Sequence, residues 1–257
     1  MPLIINADDF GASNNINNSI LQMHKLRIVS STTIIANGNN FEQAIIIAKK
    51  NPRLGIGVHL CLDGPYNIGT KYTTIINQET NQFYNVVQVV NKLKYFSFLE
   101  SEIYQEYCLQ IEKVLDNQIK ISHLDHHHHL HLYLPSLRCI IKAANKYKIP
   151  YIRTQKVLFR NNQNAFNTIY RNIHHIILRN KVKTIDGLFE PLITDNSSNS
   201  ESYKRLSELI MLKNKTIEIM LHPFGQLNQE YVFFTSEKVL DLLSNQKIIN
   251  YNDLLKT

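Results

Sequence analysis

Leu3-Ile4-Ile5-Asn6-Ala7 runs directly into Asp8-Asp9-Phe10-Gly11. A short β-branched apolar run that stops on carboxylates and a glycine reads as a buried strand with polar chemistry at its C-terminal end. The pattern recurs. Apolar runs at 31–36, 55–60, 119–124, 150–153, 184–188, 216–221 and 247–251 also read as strands. Between most of them the apolar spacing switches to the helical period, at 14–26, 41–49, 99–115, 137–146, 166–178, 203–212 and 237–243. Within 99–115, Ile103, Tyr107, Ile111 and Val114 form one stripe. Strand–helix alternation predicts an α/β fold with a parallel sheet. About eight strands in a chain of this length fit a (β/α) barrel-like, TIM-barrel-like single domain over 1–257, regular or distorted. The open doubly wound alternative lacks its usual G-x-G-x-x-G after the first strand, and no Walker A loop is present.

Composition narrows the classes. The chain has 257 residues, 44% hydrophobic and 19% charged, which excludes a disordered chain. No apolar stretch is long enough to predict a membrane span. The formal charge is +7, but the bases are scattered, and the patches at 92–94 and 179–183 sit at helical spacing. They read as solvated helix faces, so no nucleic-acid partner is expected. Cys61, Cys108 and Cys139 are odd in number and far apart, which argues against disulfides and a thiolate metal site. With no basic, apolar leader at the start, the expected location is cytoplasmic. Segments 63–85 and 195–202 read as loops.

Reactive side chains fall at strand ends. Asp8 and Asp9 end the first strand, His59 the third, Asp125 and a histidine run the fourth, Arg153 the fifth and His222 the seventh. In a parallel barrel these ends share one rim, where active sites form. Taken singly, Asp8-Asp9 serves equally as a turn or helix cap, and His59 or His222 as a hydrogen-bonded structural residue. The run is different: six of the 11 histidines lie between His123 and His131. If that segment is extended, His127, His129 and His131 project to one side. Two imidazoles and a carboxylate suit a divalent ion with positions left open for water and substrate. A neighbouring Asp then serves as general base, and His222 protonates a departing amine. No G-x-S-x-G supports a serine nucleophile.

Four motifs in order carry a family resemblance: Ile5-Asn6-Ala7-Asp8-Asp9-Phe10-Gly11, Gly57-Val58-His59-Leu60, the run from His123 through Asp125 to His131, and Met220-Leu221-His222-Pro223. With them, over nearly the whole chain, the sequence resembles the YdjC-like carbohydrate deacetylases. The resemblance implies a hydrolase that removes acetyl from N-acetylated sugars, with short chitooligosaccharides as the expected substrate and a divalent cofactor, Mg²⁺ or Zn²⁺. It carries metal binding to His59 and His127. By analogy Asp9 is the third ligand and Asp8 the catalytic base, although the residues alone fit either order. Arg153 is assigned to holding substrate or base, and His222 is catalytic. His126 stands where relatives often carry a small residue, and is expected to narrow the cleft or act as a spare ligand. Phe224-Gly225 is a second departure, expected to alter the pocket. Tyr66, Tyr72 and Tyr84 are candidates for stacking on sugar rings. The remaining expected partner is a second copy, as a homodimer.

Overall fold

The computed structural model describes residues 2–159, 165–191, 193, 198–212 and 214–255. Its strands are β1 (Pro2–Phe10), β2 (Ser31–Ile34), β3 (Gly55–Leu60), β4 (Ile76–Asn77), β5 (Gln82–Phe83), β6 (Ile121–His126), β7 (Tyr151–Ile152), β8 (Gly187–Phe189), β9 (Ile217–Leu221) and β10 (Lys247–Ile248). Its helices are α1 (Asn14–Lys25), α2 (Phe41–Lys50), α3 (Val86–Lys94), α4 (Glu100–Asp116), α5 (Leu134–Lys146), α6 (Ala165–Arg179), α7 (Ser198–Ile210), α8 (Gln229–Phe234) and α9 (Glu237–Ser244). A 3-10 segment, His127–Leu132, follows β6 without a break.

Seven strands form one curled parallel sheet in the order β7-β6-β3-β2-β1-β9-β8. Read as a ring, that order is the order of the sequence, which is the signature of repeated right-handed strand–helix crossovers. The two edges approach each other through a bridge between Val157 and Leu188, where the Leu158 N–H donates to the Leu188 carbonyl at 2.8 Å. The result is a distorted barrel. The expected eighth stave at 247–251 is not one. Its first residues form β10, which pairs only with Pro2 and Leu3 at the foot of β1, on the side that β2 takes up from Asn6 onward, while β9 pairs directly with the other side of β1 and leaves no slot between them for an eighth stave.

Segment 63–85, expected as a loop, contains the β4–β5 hairpin, and α3 follows it on a capping box made by Asn85 and Gln88. The segment is tied down by two carboxylates of α4. Glu102 accepts the N–H groups of Thr73, Thr74 and Ile75 and both threonine hydroxyls, and Glu106 accepts Ile68 N–H, Gly69 N–H and the Tyr72 hydroxyl. Of the expected loop at 195–202, residues 198–202 belong to α7, and 195–197 lie outside the described residues. All three cysteines are buried and free. Among the described residues no helix is long and apolar enough to cross a membrane.

Both faces of the main strands are buried. The outer face packs on helices with apolar side chains. The inner face is polar: Asn6, Asp8, Thr33, His59, His123, Asp125, Arg153 and Glu218 are each at most 2% exposed. Apolar layers normally fill a closed barrel, so this lining marks the interior as a built polar site. Gly57 makes room for it, since a Cβ there would lie 2.6 Å from the His123 ring.

Candidate metal centre and catalytic cleft

Two adjacent aspartates cannot both face the interior of a regular strand, because side chains alternate. β1 solves this with a bulge. Ala7 pairs with Thr32 and Phe10 with Ile34, so β1 carries one extra residue between these pairs. Asp9 absorbs it in the left-handed region, at φ 65°. Both carboxylates thereby turn inward, at 1% and 5% exposure for Asp8 and Asp9.

Asp9 Oδ1 lies 3.3 Å from His59 Nε2 and 3.2 Å from His127 Nδ1, and the two nitrogens are 3.3 Å apart. The other nitrogen of His59 donates to Asp125 at 2.7 Å, a contact set by the pairing of His59 with Asp125 across β3 and β6. A carboxylate behind an imidazole fixes its tautomer and raises its basicity as a ligand. In that neutral tautomer the Nε2 lone pair points at Asp9 Oδ1. Two electron pairs facing each other need a cation or a proton between them. Asp9 Oδ1 is buried and makes no hydrogen bond of acceptable geometry. Burial opposes protonation of His59, but Asp125 and Asp8 outweigh it and push its pKa well above the usual imidazole value. Burial also works to raise the pKa of Asp9, yet His127 and His59 hold it well below the carboxylate range. A tetrahedral ion with bonds of about 2.0–2.1 Å separates its ligand atoms by about 3.3–3.4 Å. The triangle has that size and donor set, so the residues fit a divalent transition ion.

Asp8 sits beside the triangle, bound to Arg153 by two hydrogen bonds of 2.7 and 2.6 Å, with Asn6 donating to it at 2.9 Å. Burial acts to raise its pKa. Arg153, His59 and His222 overcome that and hold Asp8 well below the usual range. Arg153 is 0% exposed. Its five N–H groups meet Asp8, Asp125 and Glu218 at 2.6–2.8 Å. No donor is left for a sugar, which corrects the assignment of Arg153 to substrate: it holds Asp8. Glu218 is held in turn by the Tyr251 hydroxyl, and Tyr251 stacks on His123 with ring centres 3.8 Å apart.

His222 ends β9. Its Nε2 is 3.7 Å from Asp8 Oδ2, and its side chain is 29% exposed. Glu230, on the first turn of α8, accepts the His222 backbone N–H at 2.6 Å and lies 4.0 Å from Nδ1. Burial raises the pKa of Glu230. Phe224 stacks near the His222 ring at 5.9 Å and is 54% exposed, forming a lip. His222 opens on a cavity of about 420 Å³ lined by His128, His129, Tyr133, Arg171 and Glu230 among others.

The histidine run does not follow the expected alternation. His128 and His129 adopt φ of 52° and 55°, and the chain turns instead of extending. His127 reaches the triangle, and His128 donates to Asp63 at 2.7 Å. His129 meets Gln155 at 3.2 Å beside the cavity, and His131 is buried against Gln155 at 3.1 Å. His126 is neither lip nor ligand. It is fully buried, donating to the His127 carbonyl and bonding the Tyr107 hydroxyl, each at 2.7 Å. Of the three tyrosines, Tyr66 stands 6.0 Å from the His127 ring, Tyr84 stacks on Phe98, and Tyr72 is 3% exposed and cannot stack on a sugar.

Five site residues expected from sequence, Asp8, Asp9, His59, His127 and His222, therefore meet at one rim. The reading brought Asp125 to the rim without a role and missed the supports Thr33, Glu218, Tyr251 and Glu230. One of these carried a signal: Glu218 is a lone charge inside an apolar strand run.

A family model described as YdjC-like protein matches residues 2–245. A carbohydrate deacetylase of Halalkalibacterium halodurans is 32% identical over 87% of this chain and 85% of its own length. One of Clostridium beijerinckii is 30% identical over 99% and 100%. A solved structure from Enterococcus faecalis, of a protein assigned to cellobiose-phosphate cleavage, shares the fold with a TM-score of 0.79 at 24% identity, covering 98% of each chain.

Proposed function

Because the chain belongs to the YdjC-like protein family, we propose that it is a metal-dependent carbohydrate deacetylase. It hydrolyses the acetamide of an N-acetylated sugar, releasing acetate and a free amine, and short N-acetylglucosamine oligomers are the substrate class. It works in the cytoplasm as one domain over its whole length. The observation that carries this reading is the triangle of Asp9, His59 and His127, three converging electron-rich atoms beside a spare carboxylate. The named activity of the curated relatives supports it.

Asp9, His59 and His127 would hold the ion, and the donor set favours Zn²⁺ or a similar transition ion over Mg²⁺. When bound, such an ion polarises a carbonyl and lowers the pKa of water toward neutrality. Asp125 keeps the His59 Nε2 turned toward Asp9, where it would serve as a ligand. Asp8, held ionised by Arg153, is placed to accept a proton at Oδ2. His222, across the cleft, donates one to the leaving nitrogen, without which an amide does not break readily. A second reading comes from Asp8 itself. Its tight bonding to Arg153 lowers its basicity, and His222 then takes and returns the proton while Asp8 orients it.

The test is acetate release from N-acetylglucosamine oligomers of graded length, using chelator-stripped protein with single metals added back. Zinc-restored release from short oligomers is the expected result. Metal-loaded protein that frees no acetate from any N-acetyl sugar would sink the proposal. The two readings separate on His222→Ala with an activated anilide. If His222 only donates to the leaving group, the defect shrinks on the anilide; if it also serves as base, it does not.

A further inference from the structure

Each of the two segments that supply imidazoles to the triangle carries a second potential ligand. The chain that leaves β3 after His59 reaches Asp63, and the turn after β6 places His128 next to His127. His128 adopts φ 52°, and its ring lies against that of His127 with centres 4.0 Å apart. A carboxylate oxygen of Asp63 and one nitrogen each of His127 and His128 lie within 4.8 Å of one another. Asp63 is 4% exposed. Its Oδ2 accepts from His128 Nδ1 at 2.7 Å, and its Oδ1 is buried with no hydrogen bond. Among the described residues, Asp9 and Asp63 are the two aspartates left with such an oxygen. An Asp–His pair kept only for structure has no need of it, because a buried acceptor without a donor costs stability. The His128 side chain is half-exposed and lines the cavity of about 420 Å³, so an ion can reach the group from the cleft.

Two imidazoles and a carboxylate repeat the donor set of the triangle and suit Zn²⁺ or a similar transition ion. We propose that Asp63 and His128, with His127 as a shared ligand, form a second and weaker site for such an ion beside the cleft. Three features make it the weaker one. Asp63 Oδ2 and His128 Nδ1 stand 2.7 Å apart with a proton between them, so an ion has to displace that proton and spread the pair. The atoms of the triangle already stand 3.2–3.3 Å apart. His59 has Asp125 behind it, whereas the carboxylate bonded to His128 is the one that must also take the ion. His127 turns its Nδ1 to Asp9 and gives a second ion only what the first leaves. Binding at this place does not depend on the reaction proposed above.

Equilibrium dialysis of chelator-stripped protein against rising zinc, with metal analysis, tests it. The wild-type chain is expected to take up one ion tightly and a second about 100-fold more weakly. His59→Ala should lose the tight ion and keep the weak one. Asp63→Asn and His128→Gln should each do the reverse. His127→Ala should lose both, since that imidazole is shared. Asp63→Asn alters a buried position, and His128→Gln alters a half-exposed one, so the second variant serves if the first does not fold. A wild-type chain that saturates at one zinc overturns the proposal. So does a second zinc retained by both Asp63→Asn and His128→Gln, which would put it on histidines elsewhere. Loss of both ions in His59→Ala overturns it too, because the second would then belong to the first centre.

Discussion

The Arg153 cluster and the Asp9–His59–His127 triangle lie side by side and share Asp125, which bonds one with each oxygen. Both are buried and both are rich in carboxylates. They differ in closure. Arg153 spends five N–H groups on three carboxylates, and one of these, Glu218, is completed by Tyr251. The triangle sets three ligand atoms within 3.3 Å of one another and leaves Asp9 Oδ1 with no hydrogen bond. Proximity of charged groups therefore does not identify a ligand site. What marks it is an unbalanced sum of donors and acceptors where several ligand atoms converge, a deficit that a bound ion settles.

Breaking the closed cluster should have the largest effect. Arg153→Leu strands three buried carboxylates, and losing one partner of a buried ion pair costs about 3–5 kcal/mol. Urea unfolding should show a loss of at least that order, with expression falling accordingly. An Arg153→Leu protein of wild-type stability would mean the cluster is not closed as described. The open triangle should behave in the opposite way. His59→Ala and His127→Ala should abolish stoichiometric zinc binding by calorimetry and leave metal-free unfolding nearly unchanged. Full occupancy in either variant removes the triangle as the metal centre.

Asp8 stands at the boundary and sharpens the contrast. Asp8→Asn should keep the metal and lower turnover by about 10²–10⁴-fold, whereas Asp9→Asn should lose both. Reversed phenotypes would exchange the two roles. The smallest effect concerns Glu102, a closed cluster far from the chemistry. Burial works to raise its pKa, but the N–H and hydroxyl groups of Thr73 and Thr74 win and bring it down to about 2. A carboxyl with a depressed folded pKa stabilises fully above its unfolded value and loses that contribution as pH falls through the folded one. Wild-type stability should therefore fall between about pH 4.5 and pH 2 more steeply than that of Glu102→Gln. Parallel profiles would show that the strap on segment 63–85 is not electrostatic.

Much of this was legible because strand ends concentrate chemistry. Asp8-Asp9, His59, His127 and His222 were found by position, and the barrel order by alternation of period two and period 3.6. The misses share a cause. Arg153 reads the same whether it faces a sugar or three carboxylates delivered by β1, β6 and β9, since those partners are 28 to 145 residues away. Alternation of His127, His129 and His131 holds only for an extended backbone, and left-handed residues at His128 and His129 remove that condition. β10 was read as a stave because a β-branched run shows the tendency to pair, not which edge is free.

The bulge in β1 sets a constraint of length instead of composition. Residues ahead of Asp9 alternate in one phase and Phe10 resumes in the other. Deleting one residue there would restore an ordinary strand in which Phe10 keeps its place opposite Ile34, but would leave a single carboxylate at the rim. Adding one would turn Phe10 out of the apolar layer. Substitutions along β1 can be absorbed one side chain at a time, but a change in its residue count removes part of the ligand set or overturns the packing in one step, so this strand is expected to drift in letters and hold its number.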